Sequence, residues 1–129
     1  MTENEIKKII DDTATMVVLK LKATGLLQSN QKSAYEKTEE LLLQYPTLCK
    51  IDQPYARRIV QEIEDGLHDL RNEPYVKVIQ LYYFERQTNA ACAMEIGRDE
   101  RTARRARRYL VEILSTRLAS EEFIRELLL

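Results

Sequence analysis

The sequence predicts an all-α protein, and three observations carry that. Gly and Pro are scarce, three of each in 129 residues, so little of the chain is built for turns or bulges. Apolar residues recur at three- and four-residue spacing over most of the length, which is the period of one helix face. Residues suited to capping a helix, among them Ser33, Thr88, Asp99 and Ser120, stand directly before several of those stretches.

The first element is a helix over roughly Glu3 to Ala23, with Ile6, Ile10, Val17 and Leu21 on one face. The β-branched run within Thr13–Val18 also fits a strand. Gly25 ends it, and Gln28 to Lys32 reads as loop. Ser33-Ala34-Tyr35-Glu36 is a capping box, in which serine and glutamate satisfy each other's backbone donors. The helix it opens turns Leu41, Leu42 and Tyr45 inward and is expected to stop before Pro46. Asp52-Gln53-Pro54 starts the next helix. Tyr55, Ile59, Ile63, Leu67 and Leu70 form its apolar stripe, and Gly66 within it costs about 1 kcal/mol relative to Ala. Asn72-Glu73-Pro74 separates it from an apolar helix over Tyr75–Phe84. Then come a short helix over Thr88–Glu95, a long one over Asp99–Ala119 and a last one over Ser120–Leu129.

The composition limits the function classes. Charged residues make up 32% of the chain, yet the formal net charge is only −1. No apolar run approaches the roughly 20 residues that span a bilayer. The start, MTENEIKKIIDD, lacks the apolar core of a signal peptide, so a cytoplasmic location is expected. Cys49 and Cys92 are then free thiols. The charge is unevenly spread. Residues 1–72 hold 10 Lys/Arg against 12 Asp/Glu, whereas residues 85–119 hold 8 Arg against 5 Asp/Glu. A basic segment in an otherwise acidic chain points to one face for a polyanion and another for a different partner.

That segment is dense. Arg98, Arg101, Arg104, Arg105, Arg107 and Arg108 fall within eleven residues at the start of the long helix. Ile96-Gly97-Arg98 makes a tight turn between it and the short helix. Ala103, Ala106, Leu110, Ile113, Leu114 and Leu118 mark its inward stripe, which leaves Glu100, Arg101, Arg104, Arg105 and Arg108 outward. Small Ala103 permits close approach to Cys92 and Ala93. This is the pattern of a helix–turn–helix whose second helix reaches base edges and phosphates.

The stretch VIQLYYFERQTNAACAMEIGRDERTARRARRYLVEIL resembles the region-4 helix–turn–helix of sigma factors. It is most similar to the version in phage-encoded late-gene regulators of the ArpU/RinA type. The upstream SAYEKTEELLLQYPTLCK resembles the segment that precedes it in that family. The resemblance covers about residues 33–119. It implies a DNA-binding transcriptional regulator from a phage or prophage of low-GC Gram-positive bacteria. On its terms Thr88 caps the positioning helix, Gly97 makes the turn, and Asp99 takes the place of the usual Ser/Thr cap. Glu100, Arg101, Thr102, Arg104 and Arg105 then occupy DNA-facing positions. Two positions depart from the pattern: the family usually has Gly near Arg86 and an acidic residue near Ala91.

Plainer readings compete at each feature. The arginine run can be a solvated face, although Glu100–Arg104 and Arg108–Glu112 are the only i,i+4 partners in view. Tyr82, Tyr83 and Phe84 can stack on bases, but core is the better reading. His68 stands alone and is expected at the surface, with no metal site. Glu62, Glu64, Asp65 and Asp69 read as a solvated helix face rather than acid–base machinery. The apolar Phe123–Leu129 segment either folds back onto the core or forms a partner surface.

The expectation is therefore a non-enzymatic, cofactor-free protein. Its helical region over 1–72 serves self-association or contact with RNA polymerase, and its helix–turn–helix region with the C-terminal helix covers 73–129. The partner is double-stranded DNA, with no membrane role. Arg98, Glu100, Arg101, Thr102, Arg104, Arg105, Arg107 and Arg108 are the candidate contacts; Arg101, Arg104 and Arg105 read the major groove, and Arg98, Arg107 and Arg108 lie nearer phosphates. A small terminase subunit binding phage DNA for packaging is one alternative. A module whose arginines bind an acidic protein is another.

Overall fold

The computed structural model describes residues 2–7 and 31–128, and every element in it is helical. Residues 3–7 are helical, opened by a reciprocal pair that the sequence reading passed over. Glu5 N–H donates to Thr2 Oγ1 at 3.1 Å and Thr2 N–H to Glu5 Oε2 at 3.2 Å. The rest of the expected first helix, with Gly25, lies outside the described residues.

Helix α1 (Ala34–Leu48) starts at the expected Ser33 cap, but the Glu36 carboxylate reaches back to the serine hydroxyl rather than to its backbone donor. Glu36 N–H donates to Ser33 Oγ at 3.1 Å, and the Ser33 hydroxyl donates to the Glu36 carboxylate at 3.3 Å. It does not stop before Pro46 but continues to Leu48. Proline there forfeits one hydrogen bond in the last turn. Burial of Leu48 and a 4.3 Å stack of Tyr45 on Phe84 hold that turn in place.

Helix α2 (Pro54–Asp69) begins at its proline. Asp52 does not cap it; it pairs with Arg57 instead. The buried face is turned slightly from the expected stripe: Ala56, Ile59, Glu62, Ile63 and Gly66 lie inside, with Tyr55 and Leu67 at the flank. Gly66 has a reason that its sequence context hid. A Cβ there would stand 2.7 Å from Leu114 Cδ2 and 3.4 Å from Arg117 Cδ, so the helices pack too closely for a side chain.

Helix α3 (Lys77–Ile79) runs into a π-helical segment, Gln80–Phe84, closed by Glu85 N–H on Gln80 O at 3.0 Å. The expected helix start at Tyr75 is displaced, because Tyr75 itself adopts φ +65°. Next come α4 (Asn89–Ile96), α5 (Glu100–Leu118) and α6 (Glu121–Leu128).

Helix α5 is the centre of the packing and touches α1, α2, α3, α4 and α6. Leu110, Val111, Leu114 and Leu118 meet Leu41 and Leu42 of α1, Ile59 and Ile63 of α2, and Tyr83 in one apolar cluster. Val111, fully buried, was absent from the expected stripe. Each such leucine contributes about 1.5–3 kcal/mol by leaving water. The cluster draws on both sides of position 72, so α1, α2, α3 with its π-helical continuation, α5 and α6 share one core.

The C-terminal segment folds back. Ser120 caps α6, accepting from Phe123 N–H at 3.2 Å. Phe123 is buried in the cluster, with Ile124 and Leu127 against it. Arg58 covers the Phe123 ring at 5.2 Å and pairs with Glu126 at 2.7 Å.

The acidic face of α2 needs a correction. Glu62 is buried and joins Arg58 at 2.7 Å and Arg117 at 3.3 Å. Arg117 also pairs with Asp69. Arginines from α2 and α5 converge on that carboxylate, which is what lets it leave water. Glu64 and Asp69 remain exposed, as does His68, and Asp65 is half-buried.

Candidate nucleic-acid interface

The turn between α4 and α5 is built by three local devices. Thr88 Oγ1 accepts from Ala91 N–H at 3.1 Å and starts α4. Gly97, at φ +67°, ends it. Gly97 N–H then donates to Met94 O at 3.2 Å and Arg98 N–H to Ala93 O at 3.0 Å, the paired bonds of a Schellman ending. A Cβ on Gly97 would meet no atom within 4 Å, so conformation rather than space calls for glycine. Asp99 Oδ1 accepts from Thr102 N–H at 3.0 Å and starts α5. The Thr102 hydroxyl first, and then that backbone bond, hold the Asp99 carboxyl below its ordinary range. Cys92, Ala93 and Ala103 are buried where α4 and α5 pack together, as their small size anticipated. Burial also pushes the Cys92 thiol up.

The segment before α4 holds a non-glycine residue in the left-handed region. Arg86 has φ +56°. Its guanidinium donates to Leu43 O at 3.3 Å and Gln87 N–H donates to Leu81 O at 2.9 Å, so both neighbours pin the turn. Arginine thus adopts the backbone shape that glycine usually supplies.

The arginines divide into two groups. Arg101, Arg104, Arg105 and Arg108 are exposed along one face of α5. Arg104 pairs with Glu100 at 3.6 Å and Arg108 with Glu112 at 3.5 Å. These are exposed i,i+4 pairs worth a few tenths of a kcal/mol, about 0.3–0.5, so their arginines stay free to exchange partners. Arg98, in the turn, is exposed and lies 5.7 Å from the Tyr75 ring. Arg107 behaves differently. It is half-buried, sits 3.7 Å over the Tyr82 ring and donates to Asn89 Oδ1 at 2.5 Å. It ties α5 to α4 and to the π-helical segment. Thr102 is half-buried, and Glu100 is exposed.

Tyr83 is buried and donates to Glu39 Oε2 at 2.7 Å. Burial, then that carboxylate, push its hydroxyl far above the usual tyrosine range. Tyr82 and Phe84 are half-buried by Arg107 and Tyr45.

A recess of about 440 Å³ opens on the arginine face, lined by Arg101, Arg104, Arg105, Arg107, Arg108 and Tyr35. No carboxylate lines it. Tyr35, noted in the sequence only within the capping box, was not expected at the arginine face because it stands 66 residues before Arg101 and belongs to a different helix. A larger recess of about 730 Å³ lies between α1 and the Tyr82–Asn89 segment. Glu36, Glu39 and Glu40 line it beside Lys32 and Arg86, which makes it a poor seat for a polyanion. Among the described residues no cluster suits a metal ion, and no helix is long and apolar enough to cross a membrane. Comparison of the chain with protein-family models, with curated proteins and with solved structures finds no match.

Proposed function

We propose that this chain is a sequence-specific regulator of transcription that binds double-stranded DNA, and that the genes it controls are phage or prophage late genes. The first part rests on the face of α5. Arg101, Arg104, Arg105 and Arg108 stand at helical spacing on one exposed side, beside a recess without acidic lining. The second part rests on the resemblance of residues 33–119 to late-gene regulators with a sigma-region-4-like helix–turn–helix.

In this reading α4 is the positioning helix and α5 enters the major groove. Arg101, Arg104 and Arg105 point to base edges, where a guanidinium can bond guanine through two donors. Arg98 and Arg108 meet the flanking phosphates and release counterions. Arg107 holds α5 against α4 so that the others are correctly aimed. The acidic helices α1 and α2 carry self-association or a contact with RNA polymerase.

The test starts by selecting bound fragments from the source genome to obtain a specific site. Arg104, Arg105 and Arg108 are then replaced singly by Ala, and affinity for specific and random DNA is measured across a salt series. A base-reading arginine should cost about 1–3 kcal/mol on the specific site and relax preference at one base pair. A phosphate-binding one should weaken all sequences alike and lower the salt slope by about 1. Parent-like binding of both DNAs by all three variants ends the proposal.

A further inference from the structure

Tyr35 belongs to α1, in the acidic half of the chain, yet it lines the recess formed by the α5 arginines. From Arg101 to Arg108 the face extends about 10 Å along the helix. That is roughly three base-pair steps along one strand. The face is therefore long enough to pass several nucleotides, and the recess lining holds five guanidiniums and no carboxylate, although Glu100 pairs with Arg104 and Glu112 with Arg108 from outside it. Guanidinium forks match phosphate oxygens in pairs. A tyrosine hydroxyl among them is a neutral donor of the kind that fixes backbone register without reading sequence.

The hydroxyl is kept protonated. Burial first, and then the Glu39 carboxylate, raise it above its ordinary value, while the Tyr83 hydroxyl and the Arg107 guanidinium pull the other way. It therefore stays protonated at neutral pH. The other recess, lined by Glu36, Glu39 and Glu40, offers no such seat. Docking of a carboxylate-rich protein would use the same guanidiniums, but one file of arginines at helical spacing suits a linear polyanion better.

We propose that the recess seats a phosphate of the DNA backbone beside Arg108, with the Tyr35 hydroxyl donating to it, so that α1 forms one wall of the nucleic-acid interface while Arg101, Arg104 and Arg105 keep the base edges. This rests on the DNA-binding reading and adds a contact from outside the arginine helix.

The experiment uses the full chain and the variant Tyr35→Phe, which removes the hydroxyl and with it the hydrogen bonds it shares with Tyr83 and Arg107. Binding to specific and random DNA is measured across a salt series. Affinity for both should fall about threefold to tenfold, the worth of one hydrogen bond. The salt slope should not change, because no charge is lost. The specific site is next prepared with single phosphates replaced in turn by uncharged methylphosphonate. The parent should lose affinity sharply at one position where Tyr35→Phe loses at least threefold less. A purely structural role for Tyr35 would not produce that position-specific coupling. Parent-like affinity of Tyr35→Phe, or equal methylphosphonate sensitivity at every position, overturns the proposal while Arg104→Ala and Arg105→Ala still report on DNA reading. A parent that binds an acidic protein but no DNA overturns both.

Discussion

Replacing Arg107 should destabilise the fold although it is one arginine among six. Three contributions can be worked from its surroundings. Its guanidinium sits 3.7 Å over Tyr82 and is partly shielded from water, a cation–π contact worth about 1 kcal/mol. Its bond to Asn89 Oδ1 is charge-assisted but partly solvated, again about 1 kcal/mol. The methylenes of its half-buried stem add about another 1 kcal/mol. Such terms share atoms and do not add fully, so Arg107→Ala should cost about 2–3 kcal/mol. For a chain of this length that lowers the thermal midpoint by roughly 6–12 °C. Arg107→Lys retains the charge and most of the stem but loses the planar fork, and should cost about 1 kcal/mol. The assay is calorimetric unfolding of both variants beside Arg105→Ala. That exposed control should shift stability by no more than about 0.5 kcal/mol. If Arg107→Ala and Arg105→Ala melt together, the Tyr82–Arg107–Asn89 contact is not a structural tie and the division of the arginines is wrong.

Other perturbations test the rest of the frame. Ala103 is 2% exposed, so Ala103→Arg should overpack the α4–α5 contact and cost about 1–3 kcal/mol or more; an unchanged thermal midpoint would sink that packing. Glu62→Ala leaves two guanidiniums without their shared carboxylate. Because both are one-third exposed, the loss should be about 1–3 kcal/mol in urea unfolding, below that of a fully buried pair. Asp99→Ala should lower the thermal midpoint at neutral pH. A carboxyl whose folded pKa is depressed gives stability that is present above its unfolded value and lost as pH falls through the folded one. The gap between parent and Asp99→Ala should thus be full above the ordinary value of 3.8 and close below it. A gap independent of pH would contradict the capping bond.

Local structure was legible where local chemistry decides it. Ser33, Thr88, Asp99 and Ser120 each accept the backbone bond that a cap requires. Gly97 takes the left-handed conformation that a tight helix ending needs. The i,i+4 pairs Glu100–Arg104 and Arg108–Glu112 form as their spacing requires. Rules of this range fail where distant packing outweighs them. Pro46 is passed through because Tyr45 and Leu48 are anchored by the core. Glu62 leaves water because Arg117, 55 residues on, arrives beside it. Arg86 holds a glycine-like turn because Leu43 O receives its guanidinium.

The candidate interface divides in the same way. By itself the sequence determined that the described elements are helical, the starts capped by Ser33, Thr88, Asp99 and Ser120, and an arginine-loaded helix following a glycine turn. Those features depend on residues within one or two turns of each other, where spacing and cap chemistry suffice. The apolar stripe of α5 already left Arg101, Arg104, Arg105 and Arg108 outward; only the tertiary structure decided that Arg107, expected near phosphate, is turned in. Arg107 and Arg108 are neighbours in sequence, but Tyr82 and Asn89 capture the first and leave the second exposed. Only the tertiary structure brought Tyr35 to the arginine face as well. A side chain's partner across the core depends on how helices pack, and packing is settled by the whole apolar cluster at once rather than by any short stretch of residues.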